Sequence, residues 1–375
     1  MLNTVIHIVE QRLLHISAAR QAMLLEGRLL PSPTLLAPWI ERSWQRCLQS
    51  GYRPQQSVDF ELVPRQTLKR VQEANYSLLS VARPVLARLG QAIADTRYFA
   101  ILTNAQGIVV DVNGPIDRSD PRADVIARVG VDLSEQRVGT TAIGAALTDL
   151  QPVWLHRGEH FFDVNTAYSC AGAPLFGPDG ACVGMLDLTG IDAVERPELK
   201  HLVAQTANKI ENALVLAKPH RLLLRLNWPG NALGGDGDGM LCLDGDGWIT
   251  GTNATARTMV PQLQEQGAQQ ALHVGEVLGI AYQALFDAAN HNTGALDVPL
   301  WSGLHLQALA IHSADEAMTV SSSRSLRGTS PLPLKEMETA LIRKTVEQAR
   351  GNVAQAAKTL GISRATVYRK LGRAG

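Results

Sequence analysis

Residues 351–371 read GNVAQAAKTLGISRATVYRKL, and this stretch restricts the fold more than any other part of the chain. Asn352 followed three residues later by Gln355 is a capping-box pattern, so a helix is expected to start there. Ala354, Ala356, Ala357 and Leu360 are small enough to let that helix pack closely, and Gly361 supplies a sharp turn. Ser363 suits the N-cap of a last helix with Ala365, Val367 and Leu371 facing inward. Arg364, Thr366, Arg369 and Lys370 would then project outward. Upstream, Leu334, Met337, Leu341, Thr345 and Val346 fall on one face of a further helix that Gly351 ends. Two short helices joined by a glycine turn, the second basic on its exposed side, make a helix-turn-helix.

Charge agrees with that reading. The chain holds 35 Lys+Arg and 35 Asp+Glu, yet residues 334–375 carry nine basic residues against Glu336, Glu338 and Glu347, a net +6. End-loaded positive charge implies an anionic partner, most simply double-stranded DNA. An Arg near the start of the recognition helix can pair with guanine O6 and N7, Thr can touch a thymine methyl, and later Arg and Lys suit phosphates.

At 375 residues, 45% of them hydrophobic, the chain has material for two to four domains with cores of their own. Charges run through MLNTVIHIVEQRLLHISAAR and no stretch of eighteen apolar residues occurs, so neither an export signal nor a membrane span is expected. The expected location is cytoplasmic, on the nucleoid when DNA is bound. Cys47, Cys170, Cys182 and Cys242 are widely spaced without a C-x-x-C pair, which speaks against disulfides and structural zinc.

Pattern divides the rest into a multidomain α+β arrangement. Residues 1–90 read as a helical region, with Leu13, Leu14, Ile16 and then Trp39, Ile40, Trp44, Leu48 at helical spacings, interrupted by Pro31, Pro33 and Pro38. Residues 91–217 alternate strand and helix: YFAILTNAQGIVVDVNG and APLFGPDGACVGMLDLTG are each strand, turn, strand, and Leu199 to Leu214 form an amphipathic helix. Residues 218–312 open a second α/β module after Pro219 and Pro229, with MLCLDGDGWITGTNATA as its hairpin and LHLQALAI as its last strand. Residues 313–333, serine-rich and poor in large apolar residues, read as a flexible linker before the all-α segment 334–375.

The tail resembles the Fis-type DNA-binding domain at the C-terminus of bacterial enhancer-binding proteins. That resemblance implies DNA contacts from Asn352, Ser363, Arg364, Thr366, Arg369 and Lys370, and a homodimer formed through Leu334, Met337, Leu341 and Val346. Upstream, ERSWQRC, EQRVGTTAIGAAL, PVWLHRGEHFFD and YSCAGAPLFGPDGACVGMLDLTG occur in order. Together they resemble the GAF-containing sensor of the acetoin and glycerol catabolism activators. A small-molecule effector is implied, with Trp154, His156, His160, Phe161 and Cys170 as its expected contacts. Residues 218–312, with LCLDGDGWITGTNATAR, resemble a degenerate PAS domain.

Competing chemistries are weaker. His156-Arg157-Gly158-Glu159-His160 has the H-x-x-E-H spacing of a zinc protease, but Gly158 and the β-favouring PVWLH oppose the single helix that motif needs. The aspartates of GGDGDG and DGDG lack the order and closing Glu of a calcium loop and read as hairpin turns. No catalytic constellation, metal or cofactor is expected. Enhancer-binding relatives carry a central ATPase; here no Lys follows a Gly, so a phosphate-binding G-x-x-x-x-G-K-[ST] loop is excluded, and residues 312–334 leave no room for such a domain. The expectation is a DNA-binding regulator of alcohol- or ketol-type catabolic genes without ATPase activity, with RNA polymerase or another regulator as a further partner. Its alternatives are a partner or antagonist of a full-length ATPase-bearing regulator and, from another class, an enzyme with a DNA-binding tail.

Overall fold

The computed structural model describes residues 2–28, 36–264 and 271–313, and nearer the C-terminus 342, 345–346, 353–359, 362, 364 and 366–367. The chain forms two compact units, Met1–Ser313 and Ala314–Gly375.

In the first unit, α1 (Leu2–Arg20) runs on as a π-helical turn, Gln21–Leu25, and α2 (Pro38–Gln49), α3 (Arg65–Ala74) and α4 (Tyr76–Ala92) follow. Proline at N1 starts α2, where its missing N–H costs nothing. A sheet is then built from β1 (Tyr98–Asn104), β2 (Val109–Asn113), β3 (Val153–His156), β4 (Tyr168–Phe176) and β5 (Cys182–Ile191), in the order β2-β1-β5-β4-β3. Between β2 and β3 lie α5 (Pro121–Ile126), α6 (Glu135–Val138) and α7 (Ala142–Asp149), and α8 (Leu199–Leu216) follows β5. Asp120 and Thr141 cap α5 and α7 through the N–H groups of Arg122 and Gly144.

Both faces of this sheet are covered, which is why YFAILTN is apolar almost throughout rather than alternating. On one face Ala100, Leu102, Ala171, Leu186 and Leu188 pack against α4 and α8. On the other, Phe99, Ile101, Cys170 and Met185 meet α5, α7 and α2, with Trp44 fully buried. Ile16, Met23 and Leu24 add α1 and its π turn to this second core, whereas Leu14 is exposed. The helical N-terminal segment thus closes one side of the sheet.

The second module holds β6 (Leu222–Asn227), β7 (Gly239–Leu243), β8 (Ile249–Thr252), β9 (Leu296–Pro299) and β10 (His305–His312), ordered β8-β7-β6-β10-β9. Its first strand is therefore central. The short helices α9 (Ala254–Met259), α10 (Val274–Val277) and α11 (Tyr282–His291) complete a core of Leu222, Leu224, Leu241, Leu285 and Leu306. Val215 of α8 packs on Leu223, Met240 and Cys242 of the opposite face. The β4–β5 turn also docks here, with Pro178 O accepting from Thr252 N at 2.8 Å.

One device makes the β1–β2, β4–β5 and β7–β8 hairpin turns. Asn104 Oδ1 accepts from the N–H groups of Gln106 and Ile108, Asp179 Oδ1 from Ala181, and Asp244 Oδ1 from Asp246 and Trp248. Gly107, Gly180 and Gly247 follow with φ of 84°, 82° and 89°, a region open to glycine. The DGDG aspartates are hence turn formers. Asp238, by contrast, is buried and receives Arg225 and Asn227 at 3.2 and 3.1 Å.

In the second unit α12 (Val353–Thr359) covers the expected small-residue helix. Ala357, Ile342 and Val367 form its buried centre, with Val346, Val353 and Ile362 around them. Ile362 N donates to Ala357 O at 3.1 Å, closing the turn after α12. The linker expected at 313–333 lies outside the described residues beyond Ser313.

Candidate functional site: a cavity on the first sheet and the basic tail

On the α5–α7 face of the first sheet lies a cavity of about 30 Å³. Its apolar wall includes Ile101, Ile126, Leu133, Val138 and Ile143, and its polar wall is Asp187 and Thr189 of β5, Cys170 of β4, and His160 and Asn165 of the β3–β4 connection. Strand alternation puts the polar wall there: Met185, Asp187 and Thr189 face this core while Leu186 and Leu188 face the other.

The connection carrying His160 is held from several sides. Arg20 of α1 donates to Gly158 O at 2.9 Å and Phe161 O at 3.1 Å, and also reaches His160 O and Asp163. Trp44 Nε1 donates to Glu159 O at 2.9 Å, and Glu159 in turn accepts from His156 N and Arg12. Ser43 and Arg46 of α2 bond Glu135, and Ser43 also meets Thr140 at 2.7 Å. The separated motifs ERSWQRC, EQRVGTT and HRGEH are therefore one connected wall.

Burial sets the protonation states. His160 Nδ1 lies 2.9 Å from Arg157 O, an acceptor, so that nitrogen carries the hydrogen; burial lowers the ring's pKa to about 4 and keeps it neutral. Burial raises Asp187 to about 7, partly opposed by the hydrogen bond from Thr189. Cys170 Sγ is 3.7 Å from His160 Nε2 and 3.3 Å from Thr189 Oγ1. Its thiol is pushed well up by burial and by the neighbouring Asp187 charge, the reverse of an activated nucleophile. Among the described residues no group of three or more His, Cys, Asp or Glu is placed to hold a metal.

Of the five expected effector contacts, His160 and Cys170 line this cavity. Phe161 is fully buried beside it, edge-on to Phe162, without lining it. Trp154 and His156 sit on the opposite face because Val153 and Leu155 take the cavity side. There they stack at 6.2 Å, and His156 Nδ1 meets Ser169 Oγ at 2.7 Å. The H-x-x-E-H residues form a strand end and a 3-10 turn, Arg157–Glu159, so the two histidines diverge. Asp187, Thr189 and Asn165 were not anticipated; a carboxylate at a core-facing position of MLDLT was the available signal for the first.

In the tail, Arg364 is exposed and Thr366 half-buried, while Val346 packs against the unit's own core. Asn352, Ser363, Arg369 and Lys370, like Leu334, Met337 and Leu341, lie outside the described residues.

Residues 15–212 match the family described as MimR, N-terminal domain. The chain belongs to this MimR family. Residues 333–373 of this MimR-type chain also match the family of bacterial regulatory proteins of Fis type. The acetoin catabolism regulatory protein of Cupriavidus necator is 31% identical over 267 residues, covering 68% of this chain and 38% of that protein. The propane 2-monooxygenase operon transcriptional activator MimR of Mycolicibacterium goodii is 29% identical over 198 residues, 52% of this chain and 32% of that protein. The MimR-type chain thus spans well under half the length of these relatives. A crystal structure of an E. coli DhaR(N)-DhaL complex aligns over 74% of this chain and 99% of that chain with 15% identity and a TM-score of 0.44, which bears on neither fold nor partners. Among the described residues no helix is long and apolar enough to cross a membrane.

Proposed function

We propose that this chain is a dimeric, sequence-specific DNA-binding regulator of catabolic genes, with a GAF-like sensor around the first sheet and a PAS-like second module. The observation that carries the reading is one chain holding both a Fis-type helix-turn-helix and a buried cavity with a polar wall. Occupancy of that cavity changes the arrangement of the sensor in the dimer, and with it the spacing of two recognition helices on their half-sites. Asn352, Ser363, Arg364, Thr366, Arg369 and Lys370 make the DNA contacts, and Leu334, Met337, Leu341 and Val346 the dimer. The protonated Cys170 thiol favours sensing over turnover. Promoter opening is not driven by an ATPase of its own, since residues 314–332 are all that separate the first unit from the Fis-type match. The expected setting is the cytoplasm.

The test is a mobility shift with Arg364→Ala. A loss of about 1–3 kcal/mol in affinity for the preferred site, with relaxed sequence preference, is the expected result. Unchanged affinity and preference would remove the recognition role. The brief interval 314–332 before the Fis-type match also favours a second reading, a partner or antagonist of a full-length, ATPase-bearing regulator at shared sites. Mixed dimers recovered by co-purification distinguish it.

A further inference from the structure

We infer that the cavity on the first sheet selects a compact, uncharged molecule that donates hydrogen bonds, with Asp187 reading the donor. The inference rests on the sensory reading of the same cavity. It follows from accounting for every polar atom on the buried wall.

Above about pH 7, where Asp187 is ionised, the wall's buried hydrogens are all committed. Thr189 gives its hydroxyl hydrogen to Asp187 Oδ2, Tyr168 OH donates to Arg122 O at 3.1 Å, and Asn165 Nδ2 donates to Val138 O at 3.1 Å. The His160 Nδ1 hydrogen goes to Arg157 O, and the single Cys170 hydrogen has two acceptors, Thr189 Oγ1 and His160 Nε2. Thr141, half-exposed at the margin, accepts from Gly144 N and is the remaining hydroxyl. Two buried atoms are left without a partner, Asp187 Oδ1 and Asn165 Oδ1, and both are acceptors. Each belongs to a residue at most 1% exposed.

A molecule bearing only a carbonyl leaves both oxygens unsatisfied, and an anion adds repulsion from Asp187 with no Lys or Arg on the wall to offset it. Hydroxyl hydrogens satisfy them. A cavity of this size admits only a few heavy atoms.

The test uses this chain at pH 8.5, where Asp187 is ionised, and probes differing in a donor: propan-2-ol against acetone, butane-2,3-diol against butane-2,3-dione, and propane-1,2-diol against propanoate, each titrated by ligand-observed NMR. The hydroxyl member of each pair should bind about tenfold tighter or more, the size of a hydrogen bond to a charged group. Asp187→Asn, which brings a donor of its own, should erase or invert that preference. Asn165→Leu should weaken the diols more than propan-2-ol, giving a second reading should the first variant fold poorly. Equal binding of carbonyl members, a preference unchanged in Asp187→Asn, or no probe binding at all overturns the inference. Hydroxyl binding that persists in the cavity-filling Ile143→Phe instead places the ligand elsewhere and overturns the sensory reading of the cavity itself.

Discussion

Asp187 occupies a strand position that alternation reserves for a core side chain, and the fold accepts a carboxyl there at the expense of its ionisation. Its pKa of about 7 lies above the ~3.9 of an unfolded aspartate, so between these values the folded chain holds a proton that the unfolded chain has released. Stability contributed by this group is therefore full below about pH 4, falls as pH rises through 7, and is flat above it. Glu211, raised to about 7 by burial, acts in the same direction, while His160, lowered to about 4 by burial, acts oppositely below its unfolded value of ~6.5. The difference between Asp187→Asn and the natural chain isolates the first contribution. Urea denaturation should show that the variant's relative stability rises from pH 4 to pH 7 by on the order of 2–4 kcal/mol, then levels off. A difference independent of pH would mean that Asp187 is ionised throughout.

Asn253 performs a comparable service for whole elements. Its Oδ1 accepts from Ala256 N, capping α9, and from Met240 N of β7, while its Nδ2 donates to Asn212 Oδ1 of α8 and to Asp238 O, all within 2.9 Å. The helix closing the first sheet and the second strand of the following module thus meet on one side chain. Asn253→Ala removes the cap and leaves buried groups unsatisfied; thermal and urea unfolding should register a loss of about 2–4 kcal/mol. Elements like these were largely legible beforehand. NAQG, GPDG and DGDG announced their hairpins because the turn chemistry is local, and Leu199 to Leu214 announced α8 by periodicity. The cavity wall was less legible: Trp154 and His156 looked like binding residues by type, but the register of β3 turns them away, and register is fixed by pairing with β4 rather than by the local sequence. Phe60 and Asn165 reach the cavity from connecting segments, where no period exists to read.

At the scale of the molecule, a chain neutral overall concentrates +6 in its last 42 residues. Affinity for DNA should accordingly fall steeply with added salt, because each neutralised phosphate releases a counterion. The most direct measurement is selection of bound sites by this chain from a pool of random duplexes at moderate ionic strength. The account predicts enrichment of a two-fold symmetric sequence whose half-sites lie about one helical turn, or a multiple of it, apart, lost when Arg364→Ala is used. Recovery of duplexes no different from the starting pool would contradict it.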